Sequence, residues 1–226
     1  MEPREAPVKV WDVPVRLFHW LLVLLFAFMF FSGKSGSEWL EWHIRSGYTI
    51  LALLLFRILW GFFGSTHARF SSFLAGPKAC IEFLRHLAKR SPSTYAGHNP
   101  LGGWMVLVLL LALLFQVGTG LFSIDDVLFE GPLASLVSKA MSDRLTGWHS
   151  WNFNLLLLLA GLHIVAVLYH AGFMKENLIG AMFTGVKRMP ADAAGGVVAR
   201  FASPWLALVL LCVAALAVFL IVKRPF

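Results

Sequence analysis

The chain has 226 residues, of which 58% are hydrophobic and only 14% charged, and its formal net charge is +7. That is too little charge to cover a soluble domain of this length. The basic residues stand between long apolar runs rather than on a face with interleaved exposed aromatics, which sets nucleic acid aside as a partner. The two cysteines, Cys80 and Cys212, form no Cys-x-x-Cys-His sequence, so neither covalent haem attachment nor a disulfide framework is expected.

An apolar segment of roughly 20 residues crosses the hydrocarbon core of a bilayer as a helix, and five such segments are predicted. The first, Leu17 to Phe31, follows the charged segment Val10-Trp-Asp-Val-Pro-Val-Arg16. It is too long, and lacks the small-x-small site, for a cleavable signal. The second, Ser46 to Phe63, is interrupted only by Arg57. Between the second and third, Pro77 to Arg90 places Ile81, Leu84 and Leu87 on one stripe, with Lys78, Glu82, Arg85 and Lys89 elsewhere. That pattern predicts a short helix lying on the membrane surface. The third span, Leu101 to Phe122, follows Gly97-His-Asn-Pro100, where proline is a helix-start signal. The fourth is Trp148 to Tyr169 and the fifth Pro204 to Val222. Residues 190–203 are rich in Pro, Ala and Gly and predict a linker. No internal repeat is evident.

The expected fold class is therefore an all-α integral membrane bundle: four helices within 1–189, the linker 190–203, and a fifth helix in 204–226. With the N-terminus inside, 12 Lys and Arg fall on the inner segments and six on the outer. The excess predicts a cytoplasmic N-terminus, although the terminal pair Lys223-Arg224 runs against the rule.

Of eight histidines, five lie within or at the ends of spans: His19, His43, His149, His163 and His170. An ionisable side chain there is costly and by default points to function, yet a hydrogen-bonded core histidine is about as common for any single one. Their joint placement carries more. Fourteen residues turn a helix to within about 40° of four full turns and advance about 21 Å, so His149 and His163 share a face of the fourth helix, one near each side of a hydrocarbon core of roughly 30 Å. In the charge-based topology His43 lies at the outer depth of His149, and His19 at the inner depth of His163. Two imidazoles at each of two depths suit a low-spin haem iron that cycles one electron. A structural zinc wants four ligands with Cys or carboxylate help, and none is at hand.

Arg57 stands 14 residues after His43. It is either a partner for a haem propionate or a snorkelling edge residue. Gly33, 14 after His19, and Gly47, one turn after His43, leave room for a flat macrocycle or serve ordinary helix packing. His170 shares the face of His149 and His163 and rivals His163 as inner ligand. The latter is preferred because Ile164 to Tyr169 keeps its site apolar. His98 is either an interfacial histidine or a group touching a propionate or quinone.

Trp11-Asp-x-Pro-x-Arg-x-x-His19-Trp20, His43 with Gly47, Gly97-His-Asn-Pro-x-Gly102 and Trp148-His149 with His163 and His170 together resemble the bacterial cytochrome b561 family. That family includes the cytochrome b subunit of nickel–iron hydrogenases. The resemblance spans about residues 8–189. It implies a four-helix bundle holding two non-covalent b haems through histidines of the first, second and fourth helices, which match His19, His43, His149 and His163. It also implies electron transfer between membrane quinone and a redox partner. The fifth helix departs from the minimal pattern.

Three functions are in view: a cytochrome linking quinone to a periplasmic c-type cytochrome, for which Asp125, Asp126, Glu130 and Asp143 offer acidic docking residues; a membrane-anchoring subunit of a hydrogenase or other dehydrogenase; and a histidine-lined metal-ion transporter. No nucleophile–base pair or carboxylate dyad stands out, so electron transfer is expected rather than stand-alone catalysis.

Overall fold

The computed structural model describes residues 5–88, 95–125 and 129–223. Lys89, Asp126 and Arg224 lie outside them, as do Arg4 and Arg90 of the charge count. In chain order the elements are β1 (Glu5–Lys9), α1 (Val13–Ser32), α2 (Leu40–Phe63), α3 (Phe70–Phe73), α4 (Pro77–Ala88), α5 (Pro100–Gly120), α6 (Lys139–Gly172), α7 (Leu178–Thr184), β2 (Val186–Pro190), α8 (Ala191–Ala194) and α9 (Pro204–Val222). The helices α1, α2, α5, α6 and α9 are long and apolar enough to cross a membrane. Their outward faces are apolar: Leu24, Leu158 and Leu220 are all exposed, as lipid-facing positions must be. The fold is an all-α integral membrane one with a small two-stranded addition.

Two spans start earlier than their apolar runs. The second begins at Leu40 rather than Ser46 and the fourth at Lys139 rather than Trp148. Helical hydrogen bonding does not stop where hydropathy falls. An i,i+4 ion pair between Lys139 and Asp143, and the Ser142 hydroxyl donating to the Phe122 carbonyl at 2.5 Å, hold the polar first turns of α6.

The chain forms two compact units. One comprises Met1–Leu17, Leu59–Val108 and Ala160–Ala207; the other comprises Phe18–Ile58, Leu109–Leu159 and Leu208–Phe226.

In the first unit β1 and β2 pair antiparallel, from Glu5 opposite Pro190 to Lys9 opposite Val186. Neither strand was expected, because five-residue segments whose partner is about 180 positions away carry no local signal. The predicted linker thus begins at the last residue of β2 and holds the turn of α8 before its extended stretch. Asp12 starts α1. One carboxylate oxygen accepts the Val15 N–H at 2.7 Å, as an N-cap does, and the other accepts the buried Trp60 indole N–H at 2.9 Å. Asn99 starts α5 the same way, accepting the Gly102 N–H at 2.7 Å ahead of Pro100. The Trp-Asp-x-Pro and Gly-His-Asn-Pro sequences are therefore helix starts. Helix α4 buries Phe83 and leaves Ile81 and Leu84 exposed.

The second unit packs Ile50, Leu51 and Leu54 of α2, Leu113 and Val117 of α5, and Leu156 of α6 as its buried core. Asn152 is 2% exposed and donates to the Ala112 carbonyl at 3.0 Å and to the Gln116 side-chain oxygen at 2.7 Å, tying α6 to α5.

Candidate functional site

Within the second unit, the first turn of α2 and the third turn of α6 bring His43 and His149 together. Each directly follows an exposed tryptophan, Trp42 and Trp148. The imidazole centres are 6.3 Å apart with their planes at 70°.

Both rings are held from behind. The Nδ1 of His149 lies 2.9 Å from the Gln116 carbonyl oxygen. A carbonyl only accepts, so that nitrogen carries the proton and Nε2 keeps its lone pair. The Thr119 hydroxyl, which donates to main-chain carbonyls of its own helix, stands 3.3 Å from the same Nδ1. The Nδ1 of His43 lies 3.0 Å from the Ser32 hydroxyl, which also stands 3.4 Å from the Met29 carbonyl; donating to that carbonyl leaves its oxygen to accept from Nδ1.

A cavity of about 240 Å³ opens between them, lined by both histidines, Gly47, Phe26, Met29, Leu113, Val117 and Phe153 among others. By the same measure a single water needs roughly 10–15 Å³, so this space suits a large apolar group. Among the described residues no set of three or more His, Cys, Asp and Glu is arranged to hold a bare metal ion. A macrocycle needs no such set, because it brings four equatorial nitrogens and asks the protein for only two axial ones. A metal–nitrogen bond of about 2 Å on each side, with about 1.2 Å more from nitrogen to ring centre, separates two imidazole centres by a little over 6 Å, close to the separation found. The residues present fit an axially ligated porphyrin.

The model of the prokaryotic cytochrome b561 family matches residues 10–185. The chain belongs to that family. It is a multi-pass bacterial membrane cytochrome b, and haem b is the cofactor its class carries. Among curated relatives, the probable Ni/Fe-hydrogenase B-type cytochrome subunit of Azotobacter vinelandii is 26% identical over 84% of this chain and 92% of its own length. The corresponding protein of Rhizobium leguminosarum bv. viciae is 26% identical over 79% and 87%. The probable Ni/Fe-hydrogenase 1 B-type cytochrome subunit of Escherichia coli K12 is 32% identical over 49% and 57%. No solved structure matches the chain significantly.

The other sequence-selected residues of this b561-family chain sit as follows. His19, half-buried on α1, belongs to the unit of His43 and His149, whereas His163 belongs to the other unit. Arg57 is only 3% exposed, so its guanidinium does not snorkel to solvent. Gly47 lines the cavity. Gly33 serves a ring instead: a Cβ there would lie 3.3 Å from Cε1 of His43.

His170 is buried in the first unit, stacked on Phe83 with ring centres 6.5 Å apart. Its Nδ1 lies 3.8 Å from the carboxylate of Glu176, which pairs with buried Lys187 at 3.0 Å. Burial by itself would raise the Glu176 carboxyl, but the nearby His170 ring and the hydrogen bond and charge of Lys187 outweigh it and hold the group below the usual carboxylate range.

Ser32, Gln116, Thr119 and Gly120 are absent from the sequence-derived set. Each lies in or at the end of an apolar run, where a lone hydroxyl or glycine reads as helix packing.

Proposed function

We propose that this chain carries electrons across the bacterial inner membrane, between the quinone pool and a redox partner, through two non-covalent b haems. The observation that carries the reading is the 6.3 Å separation of the His43 and His149 rings, each with Nδ1 turned to an acceptor. In this reading His43 and His149 would together hold the iron of one haem. The second haem is read from the sequence alone, where His163 stands 14 residues after His149. Bound haem supplies a one-electron iron couple. The chain's own groups hold the macrocycle in an apolar cavity, keep the imidazoles neutral at Nε2, and offer the buried Arg57 guanidinium as a propionate partner. The N-terminus is on the cytoplasmic side, supported by the excess of basic residues on the segments then inside.

For the partner, the names of the relatives favour a hydrogenase or similar dehydrogenase subunit, with this chain as its membrane anchor and electron outlet. Two of the acidic residues that favoured a basic c-type cytochrome have local partners: Asp143 pairs with Lys139, and Asp125 accepts the Phe129 N–H at 2.8 Å.

The test is a reduced-minus-oxidised spectrum with haem quantification on wild type and on His19→Ala, His43→Ala, His149→Ala and His163→Ala. Two haems per chain are expected in wild type, and about one in each variant, His43→Ala and His149→Ala losing the same one. Two haems retained in both of those variants would overturn the reading, and co-purification with a large metalloprotein would identify the partner class.

A further inference from the structure

The two histidines of the site are held by the same device, built twice. At the end of α1, the buried hydroxyl of Ser32 meets Nδ1 of His43 at 3.0 Å, and the next residue, Gly33, leaves the space that the ring occupies: a Cβ would stand 3.3 Å from Cε1 and 3.6 Å from Nδ1. At the end of α5, the buried hydroxyl of Thr119 stands 3.3 Å from Nδ1 of His149, and the next residue, Gly120, is again bare toward the ring: a Cβ would stand 3.0 Å from Cε1 and 3.2 Å from Nδ1. Neither glycine has a positive φ, so what each offers is close approach to the ring and not backbone freedom. Each clamp closes on a Trp-His pair, Trp42-His43 or Trp148-His149.

The clamps differ in one respect. His149 has a main-chain acceptor, the Gln116 carbonyl at 2.9 Å, which no side-chain change removes. Among the described residues, the partner of His43 at Nδ1 is a side chain, the hydroxyl of Ser32. An acceptor on Nδ1–H fixes the tautomer and ring orientation and makes the other nitrogen a stronger ligand. A stronger nitrogen donor favours the ferric over the ferrous iron and lowers the reduction potential.

We propose that Ser32-Gly33 and Thr119-Gly120 are twin positioning pairs for the axial imidazoles of one haem, and that Ser32 is the one that sets its potential. The inference rests on the reading that His43 and His149 ligate the same iron.

Redox titration of the purified, haem-loaded protein tests it, monitored by absorbance and by the g-values of the low-spin ferric haems. Ser32→Ala is expected to raise the potential of one haem and leave the other in place, by about a tenfold change in the oxidised-to-reduced ratio, 59 mV for one electron. Ser32→Thr keeps the hydroxyl and stays near wild type. Thr119→Val shifts the same haem, by less, because the Gln116 carbonyl remains. Gly33→Ala and Gly120→Ala change the g-values of that haem by turning one ring. Loss of that haem from Ser32→Ala, restored in Ser32→Thr, supports the same assignment.

Unchanged potentials in Ser32→Ala at full haem content would overturn the inference, as would effects of Ser32→Ala and Thr119→Val on different haems, or loss of haem from Ser32→Ala and Ser32→Thr alike. The ligand assignment is checked separately by His43→Ala and His149→Ala. If those lose a haem while Ser32→Ala is silent, only the positioning role fails.

Discussion

Lys187→Met probes a buried ion pair. Lys187 and Glu176 have side chains only 6% and 13% exposed, and their charged atoms stand 3.0 Å apart. At an effective dielectric constant of about 20 the attraction is roughly 5 kcal/mol. Removing the lysine forfeits that and leaves a carboxylate buried without its counter-charge. The bond from Lys187 to the Tyr95 carbonyl at 2.9 Å goes too. Breaking a buried pair in this way typically costs about 3–5 kcal/mol.

The loss should appear as local opening of the segment from Glu176 through β2, because Lys187 is one of the two inward side chains of that strand. Limited proteolysis in detergent measures it: at about 1.4 kcal/mol per decade, cleavage of that segment should rise by at least a hundredfold. Lys187→Met with Glu176→Gln should recover much of the difference, since no charge is then stranded.

The pH dependence supplies an internal check. The Glu176 carboxyl titrates below its ordinary value of 4.5 in the folded chain. Its contribution is therefore complete above that value and is lost as pH falls through the folded pKa. Wild type and Lys187→Met should converge in acid. A difference under about 1 kcal/mol at neutral pH, or one unchanged in acid, would refute the reasoning.

Two further outcomes follow from residues outside the proposed haem site. Asp12→Ala removes the cap of α1, about 1 kcal/mol, and strands the buried Trp60 indole N–H, about 1–3 kcal/mol more; a thermal melt should show a loss of about 2–4 kcal/mol, with Asp12→Asn milder. His67 titrates below the usual histidine value of 6.5 because of burial, so its neutral form is the one the fold favours. Stability should fall as pH drops below about 6.5, and His67→Gln should flatten that part of the profile in a pH series of melts; an unchanged slope would count against it.

The spans were legible because bilayer crossing is a one-dimensional requirement. Fifteen to twenty apolar residues in a row are visible without knowing any neighbour, and the fifth helix runs from Pro204 to Val222 as its composition predicts. The spacing of His149 and His163 was legible for the same reason, since a helix converts interval into face and depth. Helix ends were less so: α2 and α6 continue through polar turns that hydropathy alone cuts off, and His43 lies inside α2 rather than before it.

Tertiary structure alone decided the pairings between segments far apart in the chain. The β1–β2 ladder, the Asp12–Trp60 bond and the Lys187–Glu176 pair each join groups whose relation depends on where the backbone returns. The same holds for Ser32 and Thr119. Read along the chain they are stray hydroxyls at the ends of apolar runs, with no repeat connecting them. The fold sets each beside an imidazole with a glycine next to it. Hydrophobic length is a property of one segment, whereas a hydrogen bond at 3 Å is a property of two, and only the folded backbone holds both ends.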